Sequence, residues 1–255
     1  MLEHLVTAEV YALMLVFARI GSALMLMPGI GEAYVSARTR LLLAAAMAVL
    51  VTPVIQPHLP AMPASPVSLS LLLCGEIGIG IFIGTIGRIM LISLEIAGTL
   101  ISFQTGLASA QIFNPLVSDQ GQLISVLITI AGMVMVFQTD MHHLMLRGLV
   151  DSYTLFVPGQ LPPLGDFTET VSHTVARAFL VGMQISAPFM VISTMMYIAL
   201  GLVSRLMPQL QIFFLALPLQ IALGFLVLML TFSSLLLWFL TNFSDVMSMF
   251  VNPGS

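Results

Sequence analysis

Four charged side chains stand inside long apolar stretches: Arg19, Glu76, Arg88 and Glu95. Even on the lenient insertion scale each costs about 2.5–3.5 kcal/mol at the centre of a bilayer, on the order of 10 kcal/mol together, so they are expected to face protein, water or one another. Two uses are open to them: buried interhelical ion pairs, or stations on the path of an ion or substrate. Ion pairs are the simpler use. Other candidate chemistry is sparse. His142 and His143 are adjacent, and successive helical side chains point about 100° apart, so they are not expected to clasp one metal as an i, i+4 pair does. The lone Cys74 lies in the apolar run Val67–Phe82, which excludes an internal disulfide and any multi-cysteine metal site. Glu169, His173 and Arg177 recur at i, i+4 and i+8, a spacing that suits a charged ladder on one helix face. There is no G-x-S-x-G elbow, no H-E-x-x-H, no P-loop and no close carboxylate pair on one helix face with an evident partner. Neither a catalytic centre nor a cofactor is expected.

The elements that must carry these residues are membrane helices. Of 255 residues, 59% are hydrophobic and only 7% charged, against about 25% charged in soluble domains. No charged side chain occurs from Ala178 to Ser204, nor from Leu206 to Ser244. Both runs exceed the roughly 20 apolar residues that cross a bilayer core. Apolar stretches at about 10–31, 41–55, 67–103, 123–139, 178–204 and 212–240 must be helical, because lipid offers backbone groups no partner. The fold class is therefore all-α: a polytopic helical membrane protein with long broken helices and helical hairpins, treated as one domain over residues 1–255. Glu3 and Glu9 stand where a signal peptide carries positive charge, so the first segment is expected to be retained. Net charge is −4, with seven arginines and no lysine, which excludes a basic patch for nucleic acid.

Two connectors break the pattern. Pro53, Pro57, Pro60, Pro63 and Pro66 predict an extended segment that ends the second helix. Pro158, Pro162 and Pro163 precede Asp166, which with Glu169 predicts a capped helix start near Phe167. The arginines at 38, 40, 88, 147 and 205 would each mark a cytoplasmic connection, yet six ordinary spans do not alternate through them, and Val67–Phe103 is too long for one span. Some apolar helices are therefore expected to pack on partner subunits rather than lipid. Glycines at 75, 78, 80, 84, 87 and 98 lie in that same stretch. Gly80 and Gly84 have the small-xxx-small spacing of close helix packing, not the spacing of a dinucleotide loop.

Four segments together resemble the FliR/SctT family of type III secretion export-apparatus proteins. They are Ala18-Arg19-Ile20 through Met27-Pro28 to Arg38-Thr39-Arg40-Leu41; Gly75-Glu76-Ile77-Gly78-Ile79-Gly80 with Gly84; Gly106 through Phe113-Asn114-Pro115 to Gln120-Gly121-Gln122, followed by His142-His143 and Asp151-Ser152-Tyr153; and Ala199 through Arg205, Pro208 and Leu210 to Phe213, Phe214 and Pro218. The chain departs from the family pattern at Ser36 or Ala37, where proline is common, at Asn114 and at Gln211.

The resemblance implies one subunit of a hetero-oligomeric export gate with FliP and FliQ, joined by FlhB and FlhA, in the bacterial inner membrane at the base of a flagellum or secretion apparatus. It would translocate unfolded polypeptides. Residues 1–177 would be the FliP-like part and 178–255 a FliQ-like hairpin, with its cytoplasmic tip at Arg205, Pro208 and Gln209. The loop with Gly106, Ile112, Phe113, Asn114, Pro115, Gln120, Gly121 and Gln122 would plug the channel, its glycines giving mobility and its apolar residues closure. Arg19, Glu76, Arg88 and Glu95 would serve assembly. The competing reading is a small-molecule or ion secondary transporter, which broken helices and intramembrane charges also suit.

Overall fold

The computed structural model describes residues 2–63, 65–107, 123–160, 162–206 and 212–251. Among them the chain forms seven α-helices and no strand: α1 (Leu2–Leu26), α2 (Ala37–Ile55), α3 (Pro66–Gln104), α4 (Leu123–Gln138), α5 (Met141–Leu155), α6 (Leu164–Leu206) and α7 (Ile212–Ser248). The all-α membrane class follows directly. Five of the helices are long and apolar enough to cross a membrane, and α4 with α5 passes the same test as a broken sixth span. The Val67–Phe103 stretch lies in one helix of 39 residues, and α6 has 43. At 1.5 Å per residue these measure about 58 and 64 Å, roughly twice the hydrocarbon thickness of a bilayer. A single perpendicular crossing cannot use their full length.

Two boundaries differ from the sequence expectation. Pro53 does not end α2, which runs on to Ile55 and a 3-10 turn at Gln56–His58. A proline this close to a helix end forfeits few backbone bonds. The next long helix starts at Leu164 rather than at a cap on Asp166. Phe167 N already donates to Pro163 O at 3.0 Å, and Asp166 sits inside the first turn, where its charge still complements the helix dipole. Ser36 caps α2 by accepting from Thr39 N. Residue 178, where the FliQ-like C-terminal hairpin is expected to begin, lies within α6.

The described residues gather into two compact units. The first comprises α1, α2, α3 as far as Met90, α5, the start of α6 to Thr174, and the chain from Phe243 onward. Ala44, Ala48, Val51 and Ile55 form the buried face of α2, which packs on α1. The small-xxx-small pair works at the contact of α1 with α3. A Cβ on Gly80 would collide with the Arg19 carbonyl oxygen and Ser22 Oγ, and one on Gly84 would lie 2.7 Å from the Ala23 carbonyl oxygen. Four aromatics complete this core: Phe82 stacks on Phe167 at 3.9 Å between centroids and meets Phe156 and Phe250 edge-on.

The second unit holds α3 from Leu91, α4 to Val136, α6 from Val175 and α7 to Asn242. Here too small residues set the helix contacts. A side chain at Gly98 would strike the Ser125 backbone, at Gly132 the Leu94 side chain, at Gly182 the Ser93 carbonyl oxygen and Ile96, and at Gly224 Thr105. Leu94, Ala97, Ile101 and Phe239 have no exposed surface. Outward faces stay strongly apolar, with Met229, Leu230, Met195 and Leu202 all exposed, as only lipid or partner helices would allow.

Candidate functional site

Arg19 and Glu76 meet inside the first unit, with 0% and 1% of their surfaces exposed. The Gly80 and Gly84 contacts bring α3 against the backbone of α1 and so set the register that faces one side chain to the other. Arg19 Nε donates to Glu76 Oε2 at 2.6 Å. Nη1 donates to the carbonyl oxygen and Oγ of Ser152 at 3.2 and 3.4 Å, and Nη2 donates to Phe156 O at 3.0 Å. The guanidinium carbon stands 4.0 Å from the centroid of the Tyr153 ring. The cation therefore meets a carboxylate on α3, the electronegative C-terminal end of α5 and an aromatic face at once. Its donors are engaged in several directions, which ties three helices together. Ser152 and Tyr153 were visible only as part of a family-like segment; the signal for their role is a hydroxyl and an aromatic at a helix end, which becomes specific only once Arg19 is placed beside them. A cavity of about 290 Å³ lined by Pro60, Ser68, Leu72, Gly159 and Pro162 reaches Glu76.

The other two intramembrane charges are arranged differently. Arg88 and Glu95 are exposed on α3, and neither has an ion-pair partner among the described residues. Of the Glu169–His173–Arg177 ladder, Glu169 and His173 approach to 3.7 Å on an exposed face, and Arg177 Nη2 donates to Asn242 Oδ1 at 3.2 Å.

In the second unit Gly106 follows α3 with φ +76°, the left-handed value of a helix C-terminal stop. A Cβ there would lie 3.2 Å from the Gln220 amide carbon. Gln220 Nε2 donates to Gln104 O at 2.8 Å and to Tyr197 Oη at 3.1 Å, and Ser193 Oγ donates to Gln104 Oε1 at 2.6 Å. Three helices are thus hydrogen-bonded where α3 ends. Sequence reading missed Gln104, Ser193, Tyr197 and Gln220. Their signal was an amide or hydroxyl isolated in an otherwise apolar helix, which in lipid demands a partner. Of the remaining positions expected to form the plug, Ile112, Phe113, Asn114, Pro115, Gln120, Gly121 and Gln122 lie outside the described residues, as do Pro208 and Gln209 of the expected hairpin tip. Arg205 is exposed in the last turn of α6.

The histidine pair departs from the angular expectation. Asp140, His142 and His143 each bring one metal-ligating atom within 4.8 Å of the others. Asp140 precedes α5 with φ 58° and makes no capping hydrogen bond, so its carboxylate is free to reach His143 Nδ1 at 3.3 Å. The 100° rule describes where side chains leave a helix; at its first turn, rotamers and a left-handed residue redirect them.

Long glycine-packed helices, a buried ion pair and apolar outer faces define a polytopic membrane protein stabilised by polar ties between its helices. The chain belongs to the bacterial export proteins, family 1, whose model matches residues 10–246. It is 36% identical to flagellar biosynthetic protein FliR of Caulobacter vibrioides over 242 residues, 95% of this chain and 96% of that one. It is 31% identical to FliR of Bacillus subtilis, with 87% and 86% of the two chains covered. Yop proteins translocation protein T of Yersinia pestis is 27% identical over 66% of each chain. The resemblance to the FliR/SctT family is borne out.

Proposed function

We propose that the chain is a structural and gating subunit of a type III protein export gate, flagellar or secretory, in the bacterial inner membrane. The observation that carries this reading is the family match across residues 10–246, with relatives that are flagellar biosynthetic proteins and a protein translocation component. Nothing in these relatives supports the small-molecule transporter alternative. The subunit assembles with FliP-, FliQ-, FlhB- and FlhA-like partners, residues 1–177 taking the FliP-like role and 178–255 the FliQ-like one. Unfolded polypeptides are the cargo, and the subunit positions helices rather than catalysing a reaction. Support for assembly comes from Arg88 and Glu95, which need protein neighbours because neither is paired among the described residues. Support for gating comes from the end of α3, where Gly106 and the Gln104–Gln220 bond tie the point from which the proposed plug would depart to two other helices. The plug itself is assigned to Ile112, Phe113, Asn114, Pro115, Gln120, Gly121 and Gln122, and the cytoplasmic tip to Arg205, Pro208 and Gln209.

The test is to delete residues 109–119, confirm that the complex still assembles, and measure resting ion leakage together with substrate export. Leakage above wild type is expected. Wild-type leakage in assembled complexes removes the plug assignment and reduces the loop to a connector.

A further inference from the structure

We propose that Asp140, His142 and His143 bind one divalent transition-metal ion of the zinc class at the turn between α4 and α5. Two imidazoles and a carboxylate form a donor set that Zn²⁺, Ni²⁺ and Cu²⁺ all accept, with coordination positions left open for water. One ligating atom from each residue already lies within 4.8 Å of the other two. Donors bound to one ion at roughly 2.0–2.2 Å stand about 3–4 Å apart, so small side-chain rotations complete the site.

His142 is held in place by its surroundings. A Cβ on Gly29 would collide with the Phe137 ring, so the absence of a side chain at 29 lets Phe137 pack there. Phe137 stacks on His142 at 5.1 Å between centroids, and the His142 ring lies 4.1 Å from that of His143. Among the described residues His142 Nδ1 is buried without a hydrogen-bond partner, an arrangement that costs a fold unless another group supplies that partner. Asp140 occupies a helix N-cap position yet spends its carboxylate on His143 instead of on the helix. The N-terminal end of α5 opposes a cation only weakly, and the Asp140 charge offsets it. Coordination would clamp the left-handed turn at Asp140 and so fix how the chain enters α5, whose far end holds Arg19 through Ser152 and Phe156.

The experiment uses the assembled membrane complex, purified through a histidine-free tag, stripped with EDTA and dialysed. Co²⁺ is added and its visible d–d absorption recorded, then displaced with Zn²⁺, and retained zinc is counted by elemental mass spectrometry. Wild type should hold one ion more per copy of this chain than Asp140→Asn or His143→Gln. Each variant should bind more than about 100-fold more weakly, beyond the loss expected from disturbing an outer-shell group. His58→Gln and His173→Gln should match wild type. Asp140 and His143 are exposed, so both variants should assemble, which gel filtration checks; Asp140→Asn keeps shape and decides the case if His143→Gln does not assemble. No retained ion at micromolar Zn²⁺, or binding unchanged by these substitutions, overturns the proposal.

Discussion

Replacing Glu76 by leucine leaves the Arg19 guanidinium buried with no counter-charge. Removing one partner of a buried ion pair costs about 3–5 kcal/mol. Arg19 would keep its bonds to Ser152 and Phe156 and its contact with Tyr153, and hydrogen bonds to a charged group are worth about 1.5–3 kcal/mol each. The lower end of the range therefore applies, about 3 kcal/mol, a loss of roughly two orders of magnitude in the equilibrium constant for the native fold. Glu76→Gln retains an acceptor for Arg19 Nε and loses only the charge, so about half that effect is expected. The double change Arg19→Leu with Glu76→Leu should be milder than Glu76→Leu alone, because no unpaired charge remains and Ser152 O still accepts from Phe156 N at 2.8 Å. The measurements are the yield and thermal midpoint of the complex extracted in detergent, followed by export per assembled complex. Wild-type yield with lost export after Glu76→Leu would make the pair a transport station. A double variant whose damage equals the sum of the two single losses would show that the residues are not coupled.

Gly80→Ala should cost about 1–3 kcal/mol, since its methyl group must part α1 from α3, whereas Gly78→Ala, with open space around it, should leave the thermal midpoint of the detergent-solubilised chain unchanged or slightly raised. Arg88→Leu should lower the yield of the hetero-oligomer while the chain purified alone keeps its thermal midpoint, because Arg88 is exposed within the chain; equal loss in both would refute an intersubunit role. Gly106→Val places a β-branched residue at φ +76° against Gln220 and should reduce export in complexes that still assemble. Gly121→Val should lower export while the membrane stays ion-tight, read as substrate secretion and leakage in the same strains.

The class was legible because it depends on quantities that add along a chain: apolar runs longer than a bilayer core, and too few charges for water. Close packing of α1 on α3 was legible in the Gly80–Gly84 spacing. Helix ends were less so, because Pro53 and Asp166 act through local bonds that two or three residues of tolerance leave undecided. The Gln104–Ser193–Tyr197–Gln220 network was hidden because its members are far apart in sequence and each looks like a lone polar residue. The Asp140–His142–His143 cluster was hidden because a left-handed residue at 140 cannot be read from helical periodicity.

Helix geometry separates the three charges carried by α3. At 100° per residue, Arg88 lies about 120° and Glu95 about 100° around α3 from Glu76. Arg88 and Glu95 therefore share a face, two turns and about 10.5 Å apart, and that face is not the one that meets Arg19. Ile81 and Ile92 lie along it and are exposed. A single helix thus carries two opposite electrostatic solutions. On one face a carboxylate is neutralised by its own chain, and the tie holds α1, α3 and α5 together. On the other, opposite charges point outward from an apolar surface, where lipid would strand both. A neighbouring helix bearing an acid opposite Arg88 and a base opposite Glu95 would satisfy them together and would fix its own register and direction in doing so. A charge pair reversed by Arg88→Glu with Glu95→Arg should then abolish assembly with the native partner, and matching reversals on that partner should restore it; recovery without them would place both charges in water.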